Sequence, residues 1–136
     1  MNIGPRSFNK AERLKNRILI GDLFKKGTAK SFFPLRVFFL PSKSEDMVTT
    51  KFAVTVPKRN FPLAVDRNRI KRQLREACRL HKTILTDAIV QSDQYVVMFV
   101  YIGKKKLPYD TIEKNTIKGL QFIANYVEGG KLKVEN

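Results

Sequence analysis

The sequence predicts an α+β fold, a two-layer sandwich in which a sheet of about four strands packs against helices. Four segments between residues 28 and 102 are short, apolar or β-branched and bounded by turn residues, as strands are. Segments with helical spacing precede, interrupt and follow them, which gives the order α-β-β-β-α-β-α. A length of 136 residues suits one domain, and no repeat or long linker divides residues 1–136.

The first helix is predicted to begin near Asn16, a candidate cap, and to end at Gly27. Residues 1–7 before it are expected to form a loose basic arm, either a frayed terminus or an RNA contact. The apolar stripe of this helix consists of Ile20, Leu23 and Phe24.

Three strands are predicted next, at residues 28–32, 35–40 and 51–56. The polar residues 42–50 between the last two are predicted to form an exposed loop, which carries two acids. Alternation in the second strand puts Leu35, Val37 and Phe39 on one side, and Arg36, Phe38 and Leu40 on the other.

Residues 64–82 are predicted to form a basic amphipathic helix, because seven of these nineteen residues are Lys or Arg. Glu76 is the one acid within the helix proper that balances them. This one-sided charge favours a surface for a polyanion over a merely solvated face. The apolar side carries Ile70, Leu74, Ala77 and Cys78, with His81 between them; the opposite side carries Asn68, Lys71, Arg72, Arg75, Arg79 and Lys82.

The last third of the chain is predicted to hold one strand and one helix. After a frayed, neutral stretch at 83–92, the nearly unbroken apolar run 95–102 indicates a buried central strand. Asp110, with Glu113 three residues later, indicates the start of the final helix. Gly129-Gly130 are predicted to end that helix, and residues 131–136 are expected to be disordered.

The charge balance narrows the classes of partner. Lys and Arg number 27 against 12 acids, a net charge of +15, which favours nucleic acid or an anionic membrane. Membrane insertion is not expected, since the longest apolar run is far shorter than the roughly 20 residues of a spanning helix. No secretory signal is evident and there is a single cysteine, which together predict a cytoplasmic location. That cysteine, Cys78, is expected to be a small buried side chain, because it lies on the apolar side of the basic helix.

Side-chain catalysis has little support in the sequence. The one histidine, His81, falls on the apolar stripe, where a structural role is favoured over one as acid, base or ligand. No Cys/His spacing suits a metal site, and no pair of acids suits two-metal phosphodiester chemistry. We therefore predict a protein that binds RNA and that has neither catalytic residues nor a metal site of its own.

The run Arg67-Asn68-Arg69-Ile70-Lys71-Arg72, followed by Arg75-Glu76, is similar to the RNR signature of the bacterial ribonuclease P protein subunit. Residues 52–60, FAVTVPKRN, resemble the strand and paired basic residues before that signature. Residues 12–14, with Leu23-Phe24 and Gly27, resemble the amino-terminal helix of the family. The resemblance spans roughly residues 8–126, and it implies a left-handed crossover around the basic helix, against the usual hand.

The resemblance also implies two sets of site residues. A cleft for the single-stranded 5′ leader of precursor tRNA would include Phe24, Phe38 and Ile20, the last at a position that is often aromatic. From the residues alone, the two phenylalanines are more simply interpreted as core, and Asn68 could contact RNA or shape the helix start. The implied RNA-binding residues are Lys58, Arg59, Arg67, Asn68, Arg69, Lys71, Arg72, Arg75 and Arg79.

The function implied is that of the non-catalytic protein subunit of ribonuclease P. In that family a catalytic RNA with bound Mg²⁺ hydrolyses the phosphodiester at the 5′ end of mature tRNA. The expected partners are that RNA and precursor tRNA, with no membrane and no obligate protein partner. Two alternatives stay open, namely a ribosomal or other structural RNA-binding protein, and a nuclease in its own right.

Overall fold

The computed structural model describes residues 17–41, 50–89 and 94–135. The α+β class and the predicted order of the main elements are confirmed. In chain order the elements are α1 (Arg17–Lys26), β1 (Thr28–Phe32), β2 (Leu35–Pro41), β3 (Thr50–Thr55), α2 (Ala64–His81), α3 (Thr83–Thr86), β4 (Tyr95–Tyr101) and α4 (Tyr109–Glu135).

The four strands form one mixed sheet in the order β1-β2-β4-β3. β1 pairs with β2 and β2 with β4 in antiparallel fashion, whereas β3 and β4 are parallel. β4 therefore lies inside the sheet, and six of its seven residues are buried, as predicted for the central strand. The chain reaches β4 from β3 through α2 and α3, and the left hand of this crossover stays a prediction.

Helices α2 and α4 cover one face of the sheet, which we call the α2/α4 face. Ile70 and Leu74 of α2 and Leu120 of α4 are buried there against Phe99 of β4. At Gly119, α4 comes so close to the sheet that a Cβ atom would lie 2.9 Å from Cε1 of Phe99. The predicted inward side of β2 points to this face, where Leu35, Val37 and Phe39 are all buried.

Helix α1 lies on the opposite face, which we call the α1 face. Its Leu23 is buried in a second, smaller cluster with Phe38 of β2 and Met98 of β4. Ile20 is partly buried against the same cluster. The helices thus divide between the two sides of the sheet, and the alternation of β2 supplies side chains to both.

The structure corrects the prediction between the basic helix and the central strand. A one-turn helix, α3, stands where a frayed stretch was expected, and its Leu85 is fully buried. Lys82 is only 7% exposed and does not belong to the cationic side of α2. It is the C-cap of α2 and the residue before α3, and its side chain is buried where these two helices join. Thr50 likewise is a buried residue of β3 rather than part of an exposed loop.

The final helix is longer than predicted. α4 runs through Gly129-Gly130 to Glu135, so the expected helix end at these glycines is wrong, and the disorder expected for residues 131–136 stays a prediction. Each glycine in a helix costs about 1 kcal/mol relative to alanine, which weakens a helix without stopping it. The helix formers Lys131, Leu132 and Lys133 follow, and no proline does. The arm at 1–7, the cap Asn16, and residues 42–49 of the predicted loop lie outside the described residues.

Candidate nucleic-acid interface

The exposed side of α2 gathers most of the predicted RNA-binding residues. Asn68, Arg69, Arg72 and Arg75 are exposed, and Lys71 is half-buried. None of these four cations forms an ion pair with a residue in the described ranges. Their charges are therefore available to phosphate groups, for which arginine provides planar, forked donors.

The opposite side of α2 fixes this orientation. Ile70, Leu74, Ala77 and Cys78 are each at most 1% exposed, and they anchor the helix on the α2/α4 face. Burial raises the pKa of the Cys78 thiol far above its usual range, so the thiol stays protonated. Cys78 therefore behaves as the small buried side chain that the sequence predicts.

The structure places two acids within α2 rather than the one expected, and both are paired with cations. Asp66 accepts a hydrogen bond from Nζ of Lys106 at 3.0 Å. Glu76 accepts hydrogen bonds from Nε and Nη2 of Arg79 at 3.0 and 2.5 Å, and these bonds lower the pKa of Glu76. Arg79 thus differs from the other predicted RNA-binding arginines, because its charge is already balanced by a neighbour on the same helix.

Arg67 also has protein partners, at the start of α2. Its Nη1 donates to the carbonyl oxygens of Phe61 and Pro62 at 2.9 and 2.8 Å. The helix lacks a side-chain cap at Leu63, so this arginine fastens the preceding turn to the first helical turn. Lys58 and Arg59 lie exposed in the turn after β3, beside the start of the basic helix.

The three predicted cleft residues come together on the α1 face. The rings of Phe24 and Phe38 meet edge to face, with centroids 5.1 Å apart, and Ile20 packs on the same cluster. Phe38 is only 9% exposed, whereas Phe24 is 54% exposed. Phe38 is therefore a core residue, and Phe24 presents an aromatic surface to solvent. Burial favours the core interpretation for Phe38, and an RNA contact at Phe24 stays a prediction.

Arg36 is a further candidate for this face that the sequence analysis did not select. It is exposed, and its guanidinium carbon lies 5.4 Å from the centroid of the Phe38 ring. The alternation of β2 already placed Arg36 on the side of Phe38, and that pattern could have identified it. An exposed arginine that lies over an aromatic ring can supply a phosphate contact and a flat stacking surface for RNA bases.

His81 connects two helices. Its Nε2 lies 2.8 Å from Oε2 of Glu113, which joins the end of α2 to α4. In residues 17–41, 50–89 and 94–135, no three His, Cys, Asp or Glu side chains come together as a metal site. None of the helices in those ranges is long and apolar enough to span a membrane.

Comparisons with known proteins agree on one family. A sequence model of the family described as Ribonuclease P matches residues 8–123. The "Ribonuclease P protein component" of Porphyromonas gingivalis is 35% identical over 128 residues, which covers 93% of each chain. The protein of the same name from Borreliella burgdorferi is 34% identical over 109 residues, which covers 79% of this chain and 84% of that one.

Solved structures share the fold. The RNase P protein of Staphylococcus aureus has a TM-score of 0.65 at 21% identity, and the match covers 83% of this chain and 95% of that one. The RNase P protein of Thermotoga maritima has a TM-score of 0.66 at 20% identity, with coverage of 82% and 97%. At these identities the likeness concerns the arrangement of helices and strands.

Proposed function

Because the chain belongs to the ribonuclease P protein family, we propose that it is the RNA-binding subunit of a ribonuclease P that matures the 5′ end of tRNA. The observation that carries the proposal is the exposed side of α2, where Asn68 lies among four cations that form no ion pair within the described part of the chain. Contacts of this kind to phosphates supply affinity and strong salt dependence without reading sequence.

The catalytic RNA is the partner proposed for α2. Asn68, Arg69, Lys71, Arg72 and Arg75 would contact it directly, with Lys58 and Arg59 extending the surface from the turn after β3. Arg67 would act by holding the start of the helix, since its guanidinium is bound to backbone carbonyls. Arg79 would act mainly by neutralising Glu76, which would otherwise repel phosphate.

The 5′ leader of precursor tRNA is the ligand proposed for the α1 face. The exposed ring of Phe24 offers a surface on which an unpaired base stacks, and the buried ring of Phe38 supports it. Arg36 lies close enough to hold a neighbouring phosphate. Ile20 contributes apolar contact but cannot stack as an aromatic side chain would.

The hydrolysis is proposed to belong to the RNA and to Mg²⁺ that the RNA holds. The donor sets in the described ranges do not fit a metal site of the protein, so no step is assigned to a protein-bound ion. The cationic surfaces would reduce repulsion between the two RNAs and would position the leader. Such a protein lowers the Mg²⁺ requirement without transferring a proton. A cytoplasmic location and the absence of an obligate protein partner belong to the same proposal.

The decisive experiment is reconstitution with the catalytic RNA of the same organism and a precursor tRNA. We expect processing at the mature 5′ end at a lower Mg²⁺ concentration than the RNA alone requires, and tighter binding of precursor than of mature tRNA. Equal binding of both tRNAs without stimulation would indicate a structural RNA-binding protein. Cleavage by rigorously RNA-free protein would instead identify a nuclease in its own right.

A further inference from the structure

A cluster of aromatic side chains lies at the outer edge of the sheet, on the α2/α4 face. Phe32 of β1 and Phe122 and Tyr126 of α4 form this cluster beside the buried ring of Phe39, and neighbouring ring centroids are 5.0 to 6.3 Å apart. Phe32 and Phe122 are partly buried, and Tyr126 is 49% exposed. We call Phe32, Phe122 and Tyr126 the edge cluster. Its exposed aromatic area belongs to neither of the two RNA surfaces proposed above.

β1 presents an unpaired edge next to this cluster. It pairs with β2 on one side, and no strand in residues 17–41, 50–89 or 94–135 pairs with its other side. Every second residue of such an outer strand directs its backbone N–H and C=O groups away from the sheet. An extended peptide binds at such an edge by adding a strand, and side-chain pockets beside the edge select its sequence.

The edge cluster is separate from both surfaces proposed for RNA. Helix α2 packs on β3, which lies at the other end of the strand order β1-β2-β4-β3. The α1 face is on the opposite side of the sheet. Lys30 of β1 pairs in register with Val37, whose side chain is buried on the α2/α4 face, so Lys30 points to that face as well. A ligand at the edge cluster therefore leaves α2 and the α1 face uncovered.

The charge around the edge cluster is positive. Lys30 is exposed, and its Nζ lies 5.8 Å from the centroid of the Phe122 ring. Lys118 is exposed one helical turn before Phe122. Neither lysine forms an ion pair with an acid in the part of the chain that the structure describes. Glu113 of α4 is turned towards α2, where it pairs with His81. Aromatic surface between two unpaired ammonium groups complements a ligand that is both apolar and acidic.

The ring geometry favours a peptide over an unpaired RNA base. A base stacks on the flat face of a ring. Here the rings of Phe32 and Phe122 meet at 61°, those of Phe39 and Tyr126 meet at 76°, and Lys30 lies over the ring of Phe122. Tilted rings form an uneven surface into which aliphatic and aromatic side chains pack, as they do at protein interfaces.

A second copy of this chain is disfavoured by its charge. Each copy carries a net charge of +15, which repels the other. Antiparallel pairing of two β1 strands about their middle residue would also place the two copies of Lys30 directly opposite each other, and like charges in that position destabilise a strand pair.

We propose that β1 and the edge cluster bind an acidic peptide segment of another protein, which adds to the sheet as a fifth strand beside β1. Apolar side chains of the segment pack on Phe32, Phe122 and Tyr126, and acidic side chains that flank them bind Lys30 and Lys118. The partner is an accessory protein, since the reaction proposed above does not require it. Its attachment site stays open while α2 and the α1 face hold RNA.

The test uses the reconstituted holoenzyme, in which RNA covers the cationic side of α2. The probe is a fluorescent peptide with a central run of Val and Phe and with Glu on both sides. We expect saturable binding of this peptide, and no binding of a control peptide in which Lys replaces Glu. Tyr126→Ala should weaken binding roughly 5- to 30-fold, which corresponds to about 1–2 kcal/mol for an aromatic anchor at an interface. Tyr126→Phe retains the ring and should retain the affinity, and thermal unfolding verifies that both variants fold.

Two further comparisons test the charge and the added strand. Lys30→Ala should weaken peptide binding and reduce its salt dependence, whereas Lys114→Ala, at an exposed lysine of α4 outside the edge cluster, should change neither. N-methyl groups placed along one edge of the extended peptide should abolish binding, and the same groups along its other edge should leave binding unchanged, because only one edge forms hydrogen bonds with β1.

The opposite results assign the edge cluster to other roles. If Tyr126→Ala weakens binding of the catalytic RNA or of precursor tRNA as much as binding of the peptide, the edge cluster is an RNA contact and the proposal is overturned. A dimer of the free protein that Tyr126→Ala dissociates would assign the cluster to a second copy. No saturable binding of the acidic peptide, or equal effects of the two N-methylation patterns, would also overturn the proposal. Processing of precursor tRNA should be unchanged in Tyr126→Ala, so a failure here is distinct from a failure of the proposed function.

Discussion

The two faces of the sheet are built differently, although the same strands supply both. On the α2/α4 face, two long helices bury large side chains such as Phe99, Tyr101 and Leu120 completely. On the α1 face, the described part of α1 contributes one fully buried side chain, Leu23, and leaves Phe24 half-exposed. Apolar area removed from water determines stability, so the first face holds the domain together. The α1 face contributes less to stability, so it can keep aromatic surface exposed, and an unpaired RNA base needs such a surface for stacking.

The largest expected effect belongs to the α2/α4 face. Leu74→Ala should lower the free energy of unfolding by about 2–5 kcal/mol, because the fully buried leucine leaves a cavity when it is truncated. Leu63→Ala, a matched control at the 64% exposed residue before the same helix, should change it by about 0.5 kcal/mol or less. Denaturant unfolding measures both. Similar values for the two variants would mean that α2 is not anchored through its apolar side.

A substitution at the exposed ring of the α1 face should change the affinity for precursor tRNA more than the free energy of unfolding. Phe24→Ala should weaken binding of leader-bearing precursor by about 1–3 kcal/mol and leave binding of mature tRNA unchanged, since a stacked base is lost. The edge-to-face contact with Phe38 contributes about 0.5–1.5 kcal/mol, so the variant should still fold. Fluorescence anisotropy with both tRNAs and a thermal unfolding curve test this. An equal loss of affinity for both ligands would contradict a leader site at Phe24.

Phe38→Ala, at the buried ring of the same face, should instead affect stability. Because Phe38 is buried, its truncation should cost about 3–5 kcal/mol of stability, as expected for a core phenylalanine. A reduced affinity in that variant would therefore not distinguish a lost base contact from a partly unfolded protein. Phe24 is the sharper probe of the cleft.

The sequence predicted features that lie within one helix or strand better than contacts between distant parts of the chain. The alternation of β2 correctly assigned Phe39 and Phe38 to opposite faces, and the spacing in α2 correctly separated Leu74 from Arg72. Both are properties of one element. Partners from elsewhere in the chain could not be foreseen, because pairs such as Asp66 and Lys106 are 40 residues apart. The burial of Lys82 was missed as well, because it depends on how the junction of α2 and α3 packs in the folded chain.

Within the cationic side of α2, the structure separates free charges from paired ones. Replacing Arg72 and Arg75 together with Ala should weaken binding to the catalytic RNA and reduce its salt dependence by roughly one unit of slope per lost phosphate contact. Replacing Glu76 and Arg79 together with Ala removes a bound pair of no net charge and should leave the slope nearly unchanged. Binding measured over a series of salt concentrations compares the two double variants on one helix. A comparable drop for both would mean that Arg79 contacts RNA despite Glu76.

The smallest expected effect concerns His81, which joins the two helices of the α2/α4 face. His81→Gln should lower the free energy of unfolding by about 1 kcal/mol or less, because a hydrogen bond between side chains that are 27% and 30% exposed is offset by lost hydration. Glu113→Gln and the double variant complete a cycle that isolates the pairwise contribution. The single-turnover rate constant of the reconstituted holoenzyme at saturating RNA should not change, since the imidazole faces Glu113 of α4 and the proposal gives it no proton to transfer. A slower chemical step in a folded His81→Gln protein would mean that the α2/α4 face takes part in catalysis. The two faces of the sheet could then not be separated into one that stabilises the domain and one that binds RNA.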